Sequence, residues 1–230
     1  MKNNNKFRLD VWGAITLGTI ALYALFLLYP MAYLIRQSVL DPDTGGFTLA
    51  YFTKFFSKSY YFDTLINSFK VSITATVLSI AIGTPLAYLF TIFKIKGKSV
   101  LNILIVVASM SAPFIGAYSW ILLLGRSGII TTFFKNLGIA IPDIYGFGGI
   151  VLVMTLQLFP LVFLYAKGAL KNIDNSLIEA AENLGCSGIA CFFKVVVPLI
   201  MPTLLAAALL VFMRSFADFG TPMLIGDGYR

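Results

Sequence analysis

An all-α, polytopic membrane fold is the architecture this sequence predicts, and three observations predict it. Hydrophobic residues make up 59% of the 230-residue chain and charged residues only 12%, against about 25% charged in an ordinary soluble domain. Mean hydropathy is +0.89. The apolar residues gather into five runs separated by polar segments, each near or beyond the roughly 20 residues that carry a helix across a bilayer.

The first run covers residues 12–35, behind a polar start that holds Lys2, Lys6 and Arg8. It is longer than the apolar region of a secretory signal, so it reads as a retained span. Pro30 near its far end is tolerable in a membrane helix. Residues 36–63 form an external loop with Asp41, Pro42, Asp43, Gly45 and Gly46, then Tyr51, Phe52, Phe55, Tyr60 and Tyr61. These aromatics suit a membrane-interface belt, or else a surface for an external binding protein.

The second run covers 65–93, with Lys70 near its outer end placed to snorkel toward the headgroups. Lys94, Lys96 and Lys98 then fall within six residues that contain no acid. Short loops carry the strongest orientation signal, so this turn lies inside the cell and the N-terminus is cytoplasmic. Gly97-Lys98-Ser99 invites a phosphate-loop reading and fails it, because position 92, where that motif needs glycine, is Ile. Nucleotide binding is therefore not expected at this turn, and no cofactor is expected in this chain.

The third run, 100–124, is interrupted by Pro113 and Gly116, which make either an unwound segment lining a pathway or a plain kink. A short surface helix is expected over 129–137. The fourth run is 147–166 and the fifth 199–216. Arg214 and Asp218 lie four residues apart near the outer end of the fifth. Ionisable groups in a span are costly, so the two either pair and shape an external gate or act as interfacial anchors. The chain reads as one transmembrane domain of five spans over 1–230, cut short of a further helix.

Between the fourth and fifth runs lies a cytoplasmic loop, 167–198. Ser176-Leu177-Ile178-Glu179 has the S-x-x-E form of a capping box, a short helix follows through Ala180, Ala181 and Leu184, and Gly185 is placed to end it in the left-handed conformation. Gly188 offers a second turn, and Pro198 and Pro202 stand at the mouth of the fifth run. A capped two-turn helix with small surface residues, set between two spans, has the form of a docking knob.

Composition also excludes several functions. The net charge of +7 comes with no basic helix or aromatic–basic platform, so nucleic acid is not expected as a partner. There is no histidine and no carboxylate pair within the spans, which argues against an integral membrane enzyme that needs acid–base chemistry. An ion-coupled secondary carrier would favour a charged midplane site, whereas the charges here lie at the edges. Cys186 and Cys191 read as reduced small residues in a cytoplasmic loop.

Glu179, Ala180, Ala181, Gly185, Val195, Val197 and Pro198 stand at the spacing of the EAA loop, and in this loop the chain resembles the permeases of binding-protein-dependent ABC importers. Val195 and Val197 replace the Ile and Leu usual there. Gly83-x-Pro85-Leu86-Ala87-Tyr88, the run 113–120, Leu124-Gly125-Arg126-Ser127-Gly128 and the run 217–222 resemble the iron(III)-type branch. The resemblance implies a type I importer permease (MetI-like) fold in a bacterial inner membrane, equivalent to the first half of a fused duplication. It also implies a separate ATPase subunit held at Glu179–Pro198, an external solute-binding protein, and a second permease half in cis or in trans. Ferric iron is the solute it favours; aminoethylphosphonate, polyamines, sulfate and thiamine share most of the framework.

Overall fold

A computed structural model of the chain describes residues 11–41, 45–93, 96–110, 112–139, 142–186 and 188–226. Lys2, Lys6, Arg8, Pro42, Asp43 and Lys94 fall outside the described residues. The chain divides into two compact units, Met1–Asp63 and Thr64–Arg230.

In the first unit, α1 (Val11–Val39) is one apolar helix, longer at both ends than the expected 12–35. It contains a wide turn, Ala24–Leu28, in which the Tyr29 amide donates to the carbonyl of Ala24. Pro30 is the physical cause. It lacks an amide hydrogen, and its ring would collide with the carbonyl four residues back, so the helix widens by one residue just before it. After α1 the chain turns through Gly45, at φ 66°, and Leu40 pairs with Phe47 as an isolated antiparallel bridge. Helix α2 (Ala50–Ser57) carries the aromatic cluster. Phe55 stacks on Tyr61 at 5.5 Å between ring centroids, while Tyr51, Phe52 and Phe56 stay exposed.

The second unit is a helical bundle. Its members are α3 (Ser59–Ile92, which starts in the first unit), α4 (Lys98–Ser109), α5 (Pro113–Leu124), α6 (Ile129–Asn136) and α7 (Phe147–Lys171). Then come α8 (Asn175–Asn183), α9 (Gly188–Phe216) and α10 (Gly220–Ile225). Helix α7 is the centre: Ile150, Val153, Met154, Val162, Phe163 and Ala166 are all buried. It lies antiparallel to α9, and the buried Ser215 hydroxyl donates to the Met154 sulfur at 3.2 Å. Helix α3 also runs antiparallel to α9, with Phe69 against Phe216 (5.0 Å) toward one end and Tyr88 against Phe192 (4.6 Å) toward the other. Against α7 it runs parallel, with Phe90 edge-on to Phe163 at 5.2 Å.

Small residues allow these approaches, since lipid tails supply no hydrophobic drive to press helices together. A Cβ on Gly83 would come within 2.9 Å of both the Phe159 carbonyl oxygen and Val162 Cβ. The run Gly83 to Tyr88 thus has a packing reason: Gly83 and Ala87 face inward, and Tyr88 meets α9. Lys70 is exposed and, with Ile66, Phe69, Ile73, Thr74 and Phe147, lines an apolar groove of about 600 Å³.

Among the described residues, five helical stretches are long and apolar enough to cross a membrane: Val11–Val39, Ser59–Ile92, Phe114–Asn136, Phe147–Lys171 and Gly188–Phe216. Two expectations need correction. The run 100–124 is two helices: α4 ends at Ser109 and α5 starts at Pro113. Ala112 is extended, at φ −70° and ψ 142°, because a residue before proline is driven out of the helical region. The fifth crossing begins at Gly188, not 199. A second wide turn, Phe192–Val196, precedes Pro198 and carries the helix past it, as the Val197 amide reaches back to Phe192. Pro198 and Pro202 therefore lie inside a continuous helix. The short helix expected over 129–137 forms as α6.

Candidate functional site

Helix α8 is built by its two ends. Its start is not the capping box expected from Ser176 and Glu179. Ser176 is already inside the helix, and its amide donates to Asp174 Oδ1 at 3.0 Å. Asp174, directly before the first helical residue, is as good a cap as serine and adds a negative charge at the positive end of the helix. This arrangement releases Glu179 from the backbone. Its side chain is exposed and forms no hydrogen bond or ion pair among the described residues.

The far end follows the expectation. Gly185 adopts φ 85°, and the Cys186 amide donates to the Ala181 carbonyl at 3.0 Å, the bond that closes a helix on a left-handed glycine. Ile173 and Ile178 are half-buried against the core and anchor α8 to the bundle. On the outward side stand Glu179 and Ala180, with Ala181 half-buried. Leu184 is 89% exposed and Ile189 78%. Pro198 is exposed within α9.

The Ser176 amide and hydroxyl hold the Asp174 carboxyl below its ordinary value. A carboxylate whose folded value lies below its unfolded one stabilises the fold fully above the ordinary carboxylate range, and that contribution is lost as pH falls through the lowered value. In Asp174→Ala, hydrogen–deuterium exchange over residues 174–184 is expected to be faster than wild type at neutral pH. The two proteins should converge below the folded value of Asp174. Equal exchange at neutral pH would remove Asp174 from the cap.

The second group of candidates lies at the other end of α9. Arg214 and Asp218 do not pair as their spacing allows. Asp218 instead turns to the start of α10. Its Oδ1 accepts from the amides of Gly220 (2.8 Å) and Thr221 (3.2 Å), and its Oδ2 from the Thr221 hydroxyl (2.6 Å). Three donors in fixed geometry outcompete one flexible, exposed guanidinium. Arg214 is exposed and has no ion-pair partner among the described residues.

Gly220 in turn lets the Phe114 ring approach, since a Cβ there would lie 3.1 Å from it. This brings α10 onto the start of α5, two residues from Gly116. Pro113 opens α5, with its side chain outside the description, while Gly116 is ordinary helix whose amide donates to Ala112. The structure thus joins the Asp218 turn to the Pro113 break, and leaves Arg214 apart. The Gly146 amide, donating to Ile225 at 2.8 Å, fastens the same turn to α7.

Asp174 is the residue that sequence reasoning passed over. Its signal was present, an Asp directly preceding a polar helix start, but the S-x-x-E pattern one step further on hid it.

A bundle of apolar spans thus carries one capped, outward-facing helix between two of them, the architecture of a polytopic membrane protein. The chain belongs to the family described as binding-protein-dependent transport system inner membrane component, which matches residues 44–230, and it is accordingly a multi-pass inner-membrane protein. It is 28% identical to the ferric transport system permease protein FbpB of Actinobacillus pleuropneumoniae, over 100% of this chain and 33% of that one. It is 29% identical to the spermidine/putrescine transport system permease protein PotB of Haemophilus influenzae, over 97% of this chain and 79% of that one. A bacterial alginate ABC transporter, solved with an alginate pentasaccharide-bound periplasmic protein, shares the fold. The TM-score is 0.71 at 18% identity, covering 95% of this chain and 77% of that one. The chain spans about a third of the length of the ferric relative.

Proposed function

We propose that this chain is the membrane-spanning part of an ATP-driven importer and performs no chemistry of its own. Helix α8 docks on a separate ATP-hydrolysing subunit at the cytoplasmic face, which places the N-terminus inside. Closure of the ATPase moves α8 and shifts the bundle between inward-open and outward-open states, a two-state equilibrium biased by differential contacts. A solute-binding protein delivers cargo on the opposite side, and a second permease half completes the path.

The observation that supports this is the surface of α8: an exposed Glu179 with no partner among the described residues and a nearly fully exposed Leu184 after its last turn, on a helix anchored by Ile178. Ferric iron is the solute we favour, by likeness to the ferric permease. The polyamine permease, similar over most of its own length, supports a polyamine as the second reading. Uptake of labelled iron and of labelled spermidine into liposomes, using the full permease with its ATPase and binding protein, separates the two. Accumulation of neither would reject both solutes, and accumulation without ATP would reject the importer reading.

Asp218 belongs to the same test. Thr221 is fully buried, so Asp218→Ala leaves its hydroxyl unpaired, at about 1–3 kcal/mol. Thermal unfolding in detergent is expected to fall accordingly, and a variant as stable as wild type would dismiss the cap. A role in the external gate predicts more: Asp218→Asn should lose uptake while it keeps most of its thermal stability.

A further inference from the structure

Three lysines converge where α4 begins and α7 ends. The Lys167 ammonium donates to the Asn102 side-chain oxygen and lies over the Phe163 ring, 5.4 Å from its centroid. Lys98 and Lys171 both stand close enough to repel its charge. Among the described residues none of the three forms an ion pair. The acid next along the chain, Asp174, spends its carboxylate on the α8 cap. Lys96 is exposed just before α4.

The depth of the cluster indicates what answers the charge. Helix α7 has 25 residues, about 37 Å at 1.5 Å per residue, against a hydrocarbon core of about 30 Å. Its last turn therefore reaches headgroup level, with Lys171 as its final residue and Lys167 one turn deeper. Beside Lys98 the α4 surface is apolar, with Leu101 41% exposed and Leu104 58%. A cationic cluster at headgroup depth, flanked by exposed leucines, matches an amphiphile with an anionic head.

We propose that Lys98, Lys167 and Lys171 form a binding site for the headgroup phosphate of an anionic phospholipid, whose acyl chains lie along α4 past Leu101 and Leu104. Asn102 and the Phe163 ring orient Lys167, so one lysine is held in place while the two at the helix ends close on the phosphate. The site is independent of the transported solute and requires only that the chain spans the membrane.

The test uses the intact permease purified with its ATPase in neutral detergent. Native mass spectrometry would follow titration with phosphatidylglycerol and with phosphatidylcholine of the same acyl chains. Wild type is expected to prefer phosphatidylglycerol. The double variant Lys98→Gln/Lys171→Gln keeps the Lys167–Asn102 bond and is expected to lose about 25-fold of that preference, at roughly fivefold per lysine. Phosphatidylcholine binding should not change, and Lys135→Gln on α6 should behave as wild type. If the double variant does not fold, Lys98→Gln alone reads the same preference at about fivefold.

Equal affinity for the two lipids, or a preference that survives the double variant, would overturn the proposal. So would lysine-dependent binding of inorganic phosphate without lipid preference, which marks a free-anion site. Lysine dependence confined to retention of the ATPase would overturn it too, and would assign the cluster to a protein partner.

Discussion

Replacing Glu179 with lysine is expected to cut co-purification of the ATPase subunit by about 30-fold or more, with permease expression unchanged. The carboxylate is exposed and has no partner among the described residues, so the substitution removes no contact seen in the fold. What it changes is the surface. Disrupting a desolvated interfacial charge pair costs roughly 2–5 kcal/mol, and 1.4 kcal/mol is already tenfold in affinity. Leu184→Ala in the same pull-down is expected to weaken binding without reversing any charge, because the exposed leucine contributes apolar area. Undiminished retention of the ATPase by both variants would sink the docking role of α8. Because Asp174 and not Glu179 caps the helix, the α8 exchange pattern of Glu179→Lys should match wild type, which separates lost binding from lost structure.

Substitution of Gly83 is expected to have the largest effect on stability. A Cβ there meets the Phe159 carbonyl oxygen and Val162 Cβ at 2.9 Å, and the Phe163 amide nitrogen at 3.1 Å. Two of these three are backbone atoms of the central helix, so relief requires α3 and α7 to move apart. Overpacking of this kind costs about 1–3 kcal/mol for a small addition. Gly83→Ala is accordingly expected to lower Tm in detergent by several degrees, and Gly83→Leu to abolish recovery of folded protein. Gly168 on α7 is the control. Nothing lies within 4 Å of its Cβ position, so Gly168→Ala gains helix propensity of about 1 kcal/mol and should raise Tm. A Gly83→Ala protein as stable as wild type would show that the two helices do not rely on this approach.

The elements that were legible in the sequence depend on few residues at close range. The spans follow from runs of apolar residues long enough to cross a bilayer, and the end of α8 follows from one glycine whose left-handed conformation other residues resist. The EAA spacing was equally legible, and it led to the right family. Local competition, by contrast, misled the reading of the α8 start, because Asp174 and Ser176 are both good caps and only the observed geometry chooses. Pro113 and Pro198 announced disturbance but not its form. One divides the apolar run 100–124 into two helices, while the other is absorbed by a wide turn.

Tertiary structure decided everything that depends on how a helix is rotated about its axis. In a soluble protein the apolar stripe marks the buried face, but in a membrane the lipid-facing and helix-facing sides are both apolar and the pattern is silent. Hence the sequence did not indicate that Gly83 presses on α7, that Asp218 turns to α10 and away from Arg214, or that Lys98 and Lys167, far apart in the chain, share one corner of the bundle. The sequence by itself determined the membrane fold, the order of its spans and the place of the short helix between the last two. Only packing, which is set by contacts between distant side chains, decided which groups on those spans meet.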